Sequence, residues 1–233
     1  TLELTKTIEK PIDRFKVLVT GKDKAGDFYR KNFASMFQYC SNRIPEITDA
    51  FYKIDDAMKA GFGWENGPFE IWDAIGVEKG IELMKAEGYQ PASWVTDMVA
   101  SGVTSFYSVK DGATHFYSIT NKKVEKVPGQ DAFIILNNIR ESKKIWNNSD
   151  AIITDLGDGI INLEFTSKMN SIGAGVLQGI NKAIDIAEKD YNGLVIGNQG
   201  ANFSVGANLG MIFMMAVEQE YDELNMAIKM FQD

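Results

Sequence analysis

The feature that most limits how this chain can fold is a change in the spacing of its apolar residues near position 105. Upstream, Ala25, Phe28, Tyr29, Phe33, Met36 and Phe37 recur at three- and four-residue steps, the period of an amphipathic helix, with Asp23 placed to cap it. The same spacing predicts a helix after Pro45, one over residues 54–59 halted by Gly61 and Gly63, one from Pro68 to Ile75 ended by Gly76, and two more over 77–87 and 92–100. Downstream, Phe106–Val109 and His115–Ile119 flank Asp111-Gly112, the signature of a hairpin. The polar stretch 121–130 reads as a connector, and 131–146 as a bridging helix. A second hairpin, Ala151–Leu156 with Gly159–Phe165, turns at Gly157-Asp158-Gly159, followed by a helix over 175–189 and a short buried strand over 193–197. No single-class fold accommodates both periods, so the expected class is α+β, an all-helical segment closed by a hairpin and then an α/β segment starting near Asn148.

Charge and cysteine content narrow the function. The chain has 233 residues with 24 basic and 32 acidic side chains, a formal charge of −8. That balance opposes the counterion release on which nucleic-acid binders depend, so DNA and RNA are excluded as partners. Cys40 is the single cysteine; without an intrachain partner it reads as a structural thiol, and a reducing, cytoplasmic compartment is expected. The most apolar run, Phe203–Val217, is shorter than the roughly 20 residues needed to span a bilayer. There is no leader pattern at the start, and because the first residue is Thr the chain reads as an excised piece of something longer.

Few residues offer chemistry. His115 is the only histidine, so a histidine-based metal site or a nucleophile–histidine relay lacks a partner, and no metal site is expected. Glu70 and Asp73 lie three apart on one helix and read as a solvated face. Gly157-Asp158-Gly159 joins two strands and does not open a helix, and G-x-G-x-x-G after a strand is absent, so the chain carries no nicotinamide-binding unit of its own. The loop from Gly197 to Leu209 differs: it is built almost wholly of small or amide residues and runs from a strand into a helix. Amides at such a junction lack helical acceptors and are free to donate to an oxygen that becomes negative during reaction; the alternative is a turn of purely geometric purpose.

Residues 61–76, Gly-Phe-Gly-Trp-Glu-Asn-Gly-Pro-Phe-Glu-Ile-Trp-Asp-Ala-Ile-Gly, preceded by Ser41-Asn42-Arg43-Ile44 and Ile54-Asp55-Asp56-Ala57-Met58, resemble the helical C-terminal domain of 3-hydroxyacyl-CoA dehydrogenases. Further on, Phe165-Thr166-Ser167-Lys168-Met169-Asn170-Ser171-Ile172 and Asn202-Phe203-Ser204-Val205-Gly206-Ala207-Asn208-Leu209 resemble the first two signatures of the enoyl-CoA hydratase, or crotonase, superfamily. Together, over about residues 17–233, they resemble the junction of a fused fatty-acid β-oxidation enzyme with its dehydrogenase part first. The resemblance implies a helical domain over 14–120, a connector with a bridging helix over 121–147, and over 148–233 the first half of a crotonase-like ββα spiral.

The resemblance also implies roles. The backbone N–H of Ala207 would hold the thioester oxygen of an acyl-CoA, Gly206 would let the thioester approach, and Asn208 stands where many members carry Asp. Lys168, Met169 and Asn170 would touch the CoA adenine and ribose, and Asn42 falls at the family asparagine near the dehydrogenase substrate. NAD would be bound by a Rossmann domain outside this chain. The second oxyanion donor and the acid–base glutamates would belong to a second crotonase half, so the chain alone is expected to be inactive. Two readings from other classes compete: an acyl-CoA binding protein without catalysis, and an interaction module pairing through the Trp64–Trp72 region. The helix over 211–217 is apolar on every side and calls for burial all round, so a homo-oligomer, or unusual contacts with the helical domain, is expected.

Overall fold

A computed structural model describes residues 1–8, 10–200, 202–207 and 209–232. The chain divides into two compact units, 1–130 and 131–233. The first unit opens with α1 (Leu2–Thr5), α2 (Pro11–Thr20) and α3 (Lys24–Asn42), and α3 is capped as its sequence indicates, the Asp23 carboxylate accepting from Gly26 N–H at 2.9 Å. Next come α4 (Tyr52–Phe62), closed by Gly63 at φ +67°, α5 (Pro68–Ile75), α6 (Val77–Ala86) and α7 (Ser93–Ala100). An antiparallel sheet of β1 (Tyr107–Lys110), β2 (Ala113–Ser118) and β3 (Lys123–Lys126) completes it, in the order β1-β2-β3. The first turn, Asp111 and Gly112, has both φ values positive, at 52° and 75°, as a two-residue hairpin of matching twist requires.

Aromatic rings hold this unit together. Phe37 stacks on Trp72 with centroids 4.6 Å apart, and Phe51 meets the rings of Phe69, Trp94, Phe106, Tyr107 and Phe116 within 6 Å. Trp72 is fully buried, its indole N–H donating to the Val77 carbonyl at 3.0 Å, which joins the end of α5 to the start of α6. Such ring pairs add about 1 kcal/mol each beyond their buried area.

Two expectations fail in this unit. No helix follows Pro45; residues 43–47 form a turn in which Ile47 N–H bonds to Arg43 O at 2.9 Å. The proline disfavours helical backbone at Ile44, and Ile44 is itself buried in the core, which fixes the chain there. Residues 121–130 are more than a connector, because β3 lies within them and pairs with β2 through His115↔Lys126 and Tyr117↔Val124.

The second unit contains α8 (Leu136–Ile139), β4 (Lys144–Asn147), β5 (Ala151–Gly157), β6 (Ile160–Phe165), α9 (Ala174–Asp190), β7 (Gly193–Ile196), α10 (Leu209–Val217) and α11 (Tyr221–Gln232). The sheet runs β4-β5-β6-β7; the first three strands are antiparallel, and β7 lies parallel to β6 after the α9 crossover. Ala151, Ile153, Ile161, Leu163 and Phe165 pack with Val176 and Ala183 of α9. Gly179 permits the close approach, since a Cβ there would lie 2.6 Å from that of Ala151.

Two more expectations are corrected here. The bridging helix over 131–146 does not form: only the single turn α8 is helical, and Trp146 pairs with Ile153 in β4. The strand at 193–197 is not buried; β7 is the edge of the sheet, and Val195 and Ile196 are more than two-fifths exposed. The apolar run 211–217 lies in α10, which has no buried residue within the single chain, with Phe213 66 % and Leu209 76 % exposed. No helix among the described residues is long and apolar enough to cross a membrane.

Candidate functional site

Within the second unit the loop from β7 to α10 is built by amide side chains reaching outward. Asn198 accepts from Phe165 N–H at 2.7 Å and donates to Phe203 O at 2.7 Å, which fastens the loop to the end of β6 and to itself. Gln199 accepts from Leu136 N–H at 2.7 Å and donates to Ile134 O at 2.8 Å. The side chain of Asn162 on β6 donates to Gly197 O at 3.1 Å. A segment with almost no side-chain bulk is thus fixed by bonds that an apolar sequence could not make.

The Lys168–Asn170 segment forms a 3₁₀ turn beside that loop, with Met169 and Asn170 at φ +57° and +55°. Asn170 is tied to the loop twice: its side chain donates to Asn202 O at 3.0 Å, and its carbonyl accepts from the Ser204 hydroxyl at 2.6 Å. Lys168 and Met169 are exposed. The structure therefore brings the 168–170 turn together with Gly206 and Ala207. Asn208 lies outside the described residues.

Ala207 precedes α10 and bridges to Ile172, with Ile172 N–H donating to Gly206 O at 2.8 Å. Among the described residues nothing accepts a hydrogen bond from the Ala207 N–H. Ala207 also lines a pocket of about 350 Å³ walled by Ile172 and Leu177, by Met211 and Met215 of α10, and by Leu224 and Phe231 of α11. Among the described residues that line the pocket none is ionisable, and Gln232 is the sole side-chain amide. An unpaired amide beside an apolar cavity can bind a carbonyl oxygen strongly, because water competes poorly there. The buried carboxylate Glu164 is already taken, both its oxygens held by the Arg140 guanidinium at 2.7 and 3.0 Å. Among the described residues no group of three or more His, Cys, Asp and Glu side chains is arranged to hold a metal ion. The strand-to-helix loop, with glycines at 197, 200 and 206, lacks the dinucleotide spacing, and no residue of this chain is assigned to NAD.

In the first unit Asn42 ends α3 with an exposed side chain that folds back, donating to Gln38 O at 2.8 Å. His115 sits in β2 between Ser108 and Lys126, and its ring is hydrogen-bonded with Ala113 O at 3.1 Å. Glu70 and Asp73 do not form a solvated face. Glu70 accepts from Gly67 N–H at 2.8 Å and pairs with Lys59 at 2.7 Å, fixing the start of α5. Asp73 takes the N–H groups of Phe106 and Tyr107 at 2.7 and 2.8 Å, and burial pushes its carboxyl up to about 6. Phe69 and Trp72 are core residues and not interface anchors, while Trp64 remains partly exposed.

Asp55 was not singled out from sequence. It is fully buried on α4 and accepts from Phe69 N–H at 2.9 Å, Glu70 N–H at 3.1 Å and the Tyr107 hydroxyl at 2.8 Å. Its donors lie 14, 15 and 52 residues away, so only the folded arrangement reveals it; the one sequence signal is that Pro68 opens a helix whose first free amides need an acceptor.

Residues 23–113 match the 3-hydroxyacyl-CoA dehydrogenase C-terminal domain. The match lies wholly within the first unit and covers α3 to α7 and β1, a stretch that contains Asp55 and Asp73. Over all 233 residues the chain is 38% identical to a protein of Bacillus subtilis (strain 168) named as a probable 3-hydroxyacyl-CoA dehydrogenase, of which it spans 29%. It is 25% identical over 207 residues (89% of this chain and 26% of the relative) to a protein of Rickettsia felis named as a candidate trifunctional enzyme of a fatty acid oxidation complex. A protein of Rickettsia prowazekii with the same name is 25% identical over 215 residues, which is 92% of this chain and 27% of the relative. The chain therefore spans under a third of each of these relatives. No solved structure matches it.

Proposed function

We propose that this chain is the junction segment of a multifunctional β-oxidation enzyme, in which the second unit supplies one oxyanion donor and part of an acyl-CoA site. The parent reactions would be addition of water across a 2-enoyl-CoA and NAD-dependent oxidation of the resulting 3-hydroxyacyl-CoA, with NAD held outside this chain. The dehydrogenase-type match over 23–113 and the names of the three relatives support the oxidoreductase part. For the hydratase part the carrying observation is the Ala207 amide, without an acceptor among the described residues and at the wall of an apolar pocket. In this reading 148–233 is the first half of a crotonase-like domain, the thioester oxygen meets Ala207 N–H, Gly206 gives it room, and the 168–170 turn contacts the nucleotide end of CoA. The role of Asn42 in the dehydrogenase reaction belongs to the same proposal.

Among the described residues the pocket wall holds no acid or base, and Glu164 is paired with Arg140, so this reading gives the pocket a role in polarisation without proton transfer. The chain alone is expected to bind acetoacetyl-CoA weakly in isothermal titration and to leave crotonyl-CoA unhydrated. Hydration above the buffer rate, or no binding at all, would overturn the assignment. The exposed α10 favours a second reading, self-association through the α10–α11 apolar face; light scattering that shows a monomer at high concentration would remove it.

A further inference from the structure

The amide on which this reading rests sits beside Gly206, a residue at φ +85° with open space where a Cβ would be and hence with little steric constraint of its own. Its conformation is fixed from both sides. Ahead of it, the Ser204 hydroxyl accepts from Gly206 N–H at 3.0 Å while donating to Asn170 O at 2.6 Å, so one hydroxyl anchors the peptide plane entering Gly206 to the 168–170 turn. Behind it, the Gly206 carbonyl accepts from Ile172 N–H at 2.8 Å. The C=O and N–H of one planar trans peptide point in opposite directions, so the bond to Ile172 directs the Ala207 N–H away from Ile172. Two pinned planes determine both φ and ψ of the glycine between them, and one of the two pins is a side chain.

We propose that Ser204 is a positioning residue that aims the Ala207 amide at the thioester carbonyl; this rests on the reading of Ala207 as an oxyanion donor. An oxyanion donor is effective only when held within roughly 0.5 Å and 10–20° of its productive geometry, which an unpinned glycine does not provide. Ser204→Ala leaves Gly206 N–H without its acceptor and frees that rotation. Ser204→Thr keeps the hydroxyl.

The test is infrared difference spectroscopy of crotonyl-CoA carrying ¹³C at its carbonyl, bound to the full chain. A directed amide lowers the carbonyl stretching frequency. The unsubstituted chain should show that lowering, S204A should lose more than half of it, and S204T should retain it. Affinity for crotonyl-CoA should fall about tenfold in S204A, as for one misaligned hydrogen bond to a polarised acceptor, while affinity for free CoA stays unchanged in all three. If S204A does not fold, S204C serves in its place, since a thiol is too weak a donor to bridge both partners. A lowering that survives in S204A, or in S204C where that variant stands in, overturns the role of Ser204 alone; an unsubstituted chain that leaves the carbonyl at its solution frequency overturns the Ala207 reading itself.

Discussion

Asp55 shows how one side chain can carry much of a domain's organisation. Its two oxygens join α4 to the first amides of α5 and to the hydroxyl of Tyr107 on β1. Burial pushes its carboxyl up to about 7, against the opposing pull of those three donors, and burial likewise pushes Asp73 up to about 6. Both folded values lie above the ordinary carboxylate range, so the folded state binds more protons than the unfolded chain between them. Their contribution is complete below about pH 4 and is lost as the pH rises towards 7. The first unit should therefore show a higher urea midpoint at pH 5 than at pH 8. In Asp55→Asn the slope of midpoint against pH should flatten. At pH 5 that variant should also lose about 2 kcal/mol, because an amide NH₂ would then face a backbone donor. An equal slope in both proteins would show that other groups set the pH dependence.

At the scale of elements, the junction of α5 and α6 depends on Gly80. A Cβ there would lie 2.0 Å from the Trp72 indole nitrogen, which is fully buried and engaged with Val77 O. Helix propensity alone favours Ala over Gly by about 1 kcal/mol. Overlap with a fixed ring outweighs that gain, and Gly80→Ala should lower stability by about 2 kcal/mol in urea unfolding; a stabilised variant would show that the ring can yield. Elements whose signals are local were legible in advance: the Asp23 cap, Pro68 and Gly76 around α5, and the turns at Asp111-Gly112 and Gly157-Asp158-Gly159. Elements decided by distant partners were not. Residues 131–146 read as a helix, yet Leu136 N–H is claimed by Gln199 and Trp146 is drawn into pairing with β5.

At the scale of the molecule, the aromatic core of the first unit draws all its buried members from Val19 to Val127, and that of the second from Ala151 to Ala183. A polypeptide of residues 1–130 should accordingly unfold in one cooperative step without binding a dye for exposed apolar surface; non-cooperative melting by circular dichroism would show that its core needs the remainder. The candidate site was legible in part. The resemblance pointed to Ala207, Gly206 and the 168–170 turn, and the structure places those described residues together. The role of Ser204 was hidden, because a serine in a small-residue loop reveals its bonds only when the loop is closed.

Gln199 carries a consequence of its own. Its carboxamide grips residues 134 and 136, some sixty positions earlier, so the shape of the glycine-rich loop is inherited from a strap that its own sequence does not contain. Transplanting residues 197–209 onto another sheet would move the letters and leave the conformation behind unless the upstream strap travelled with them.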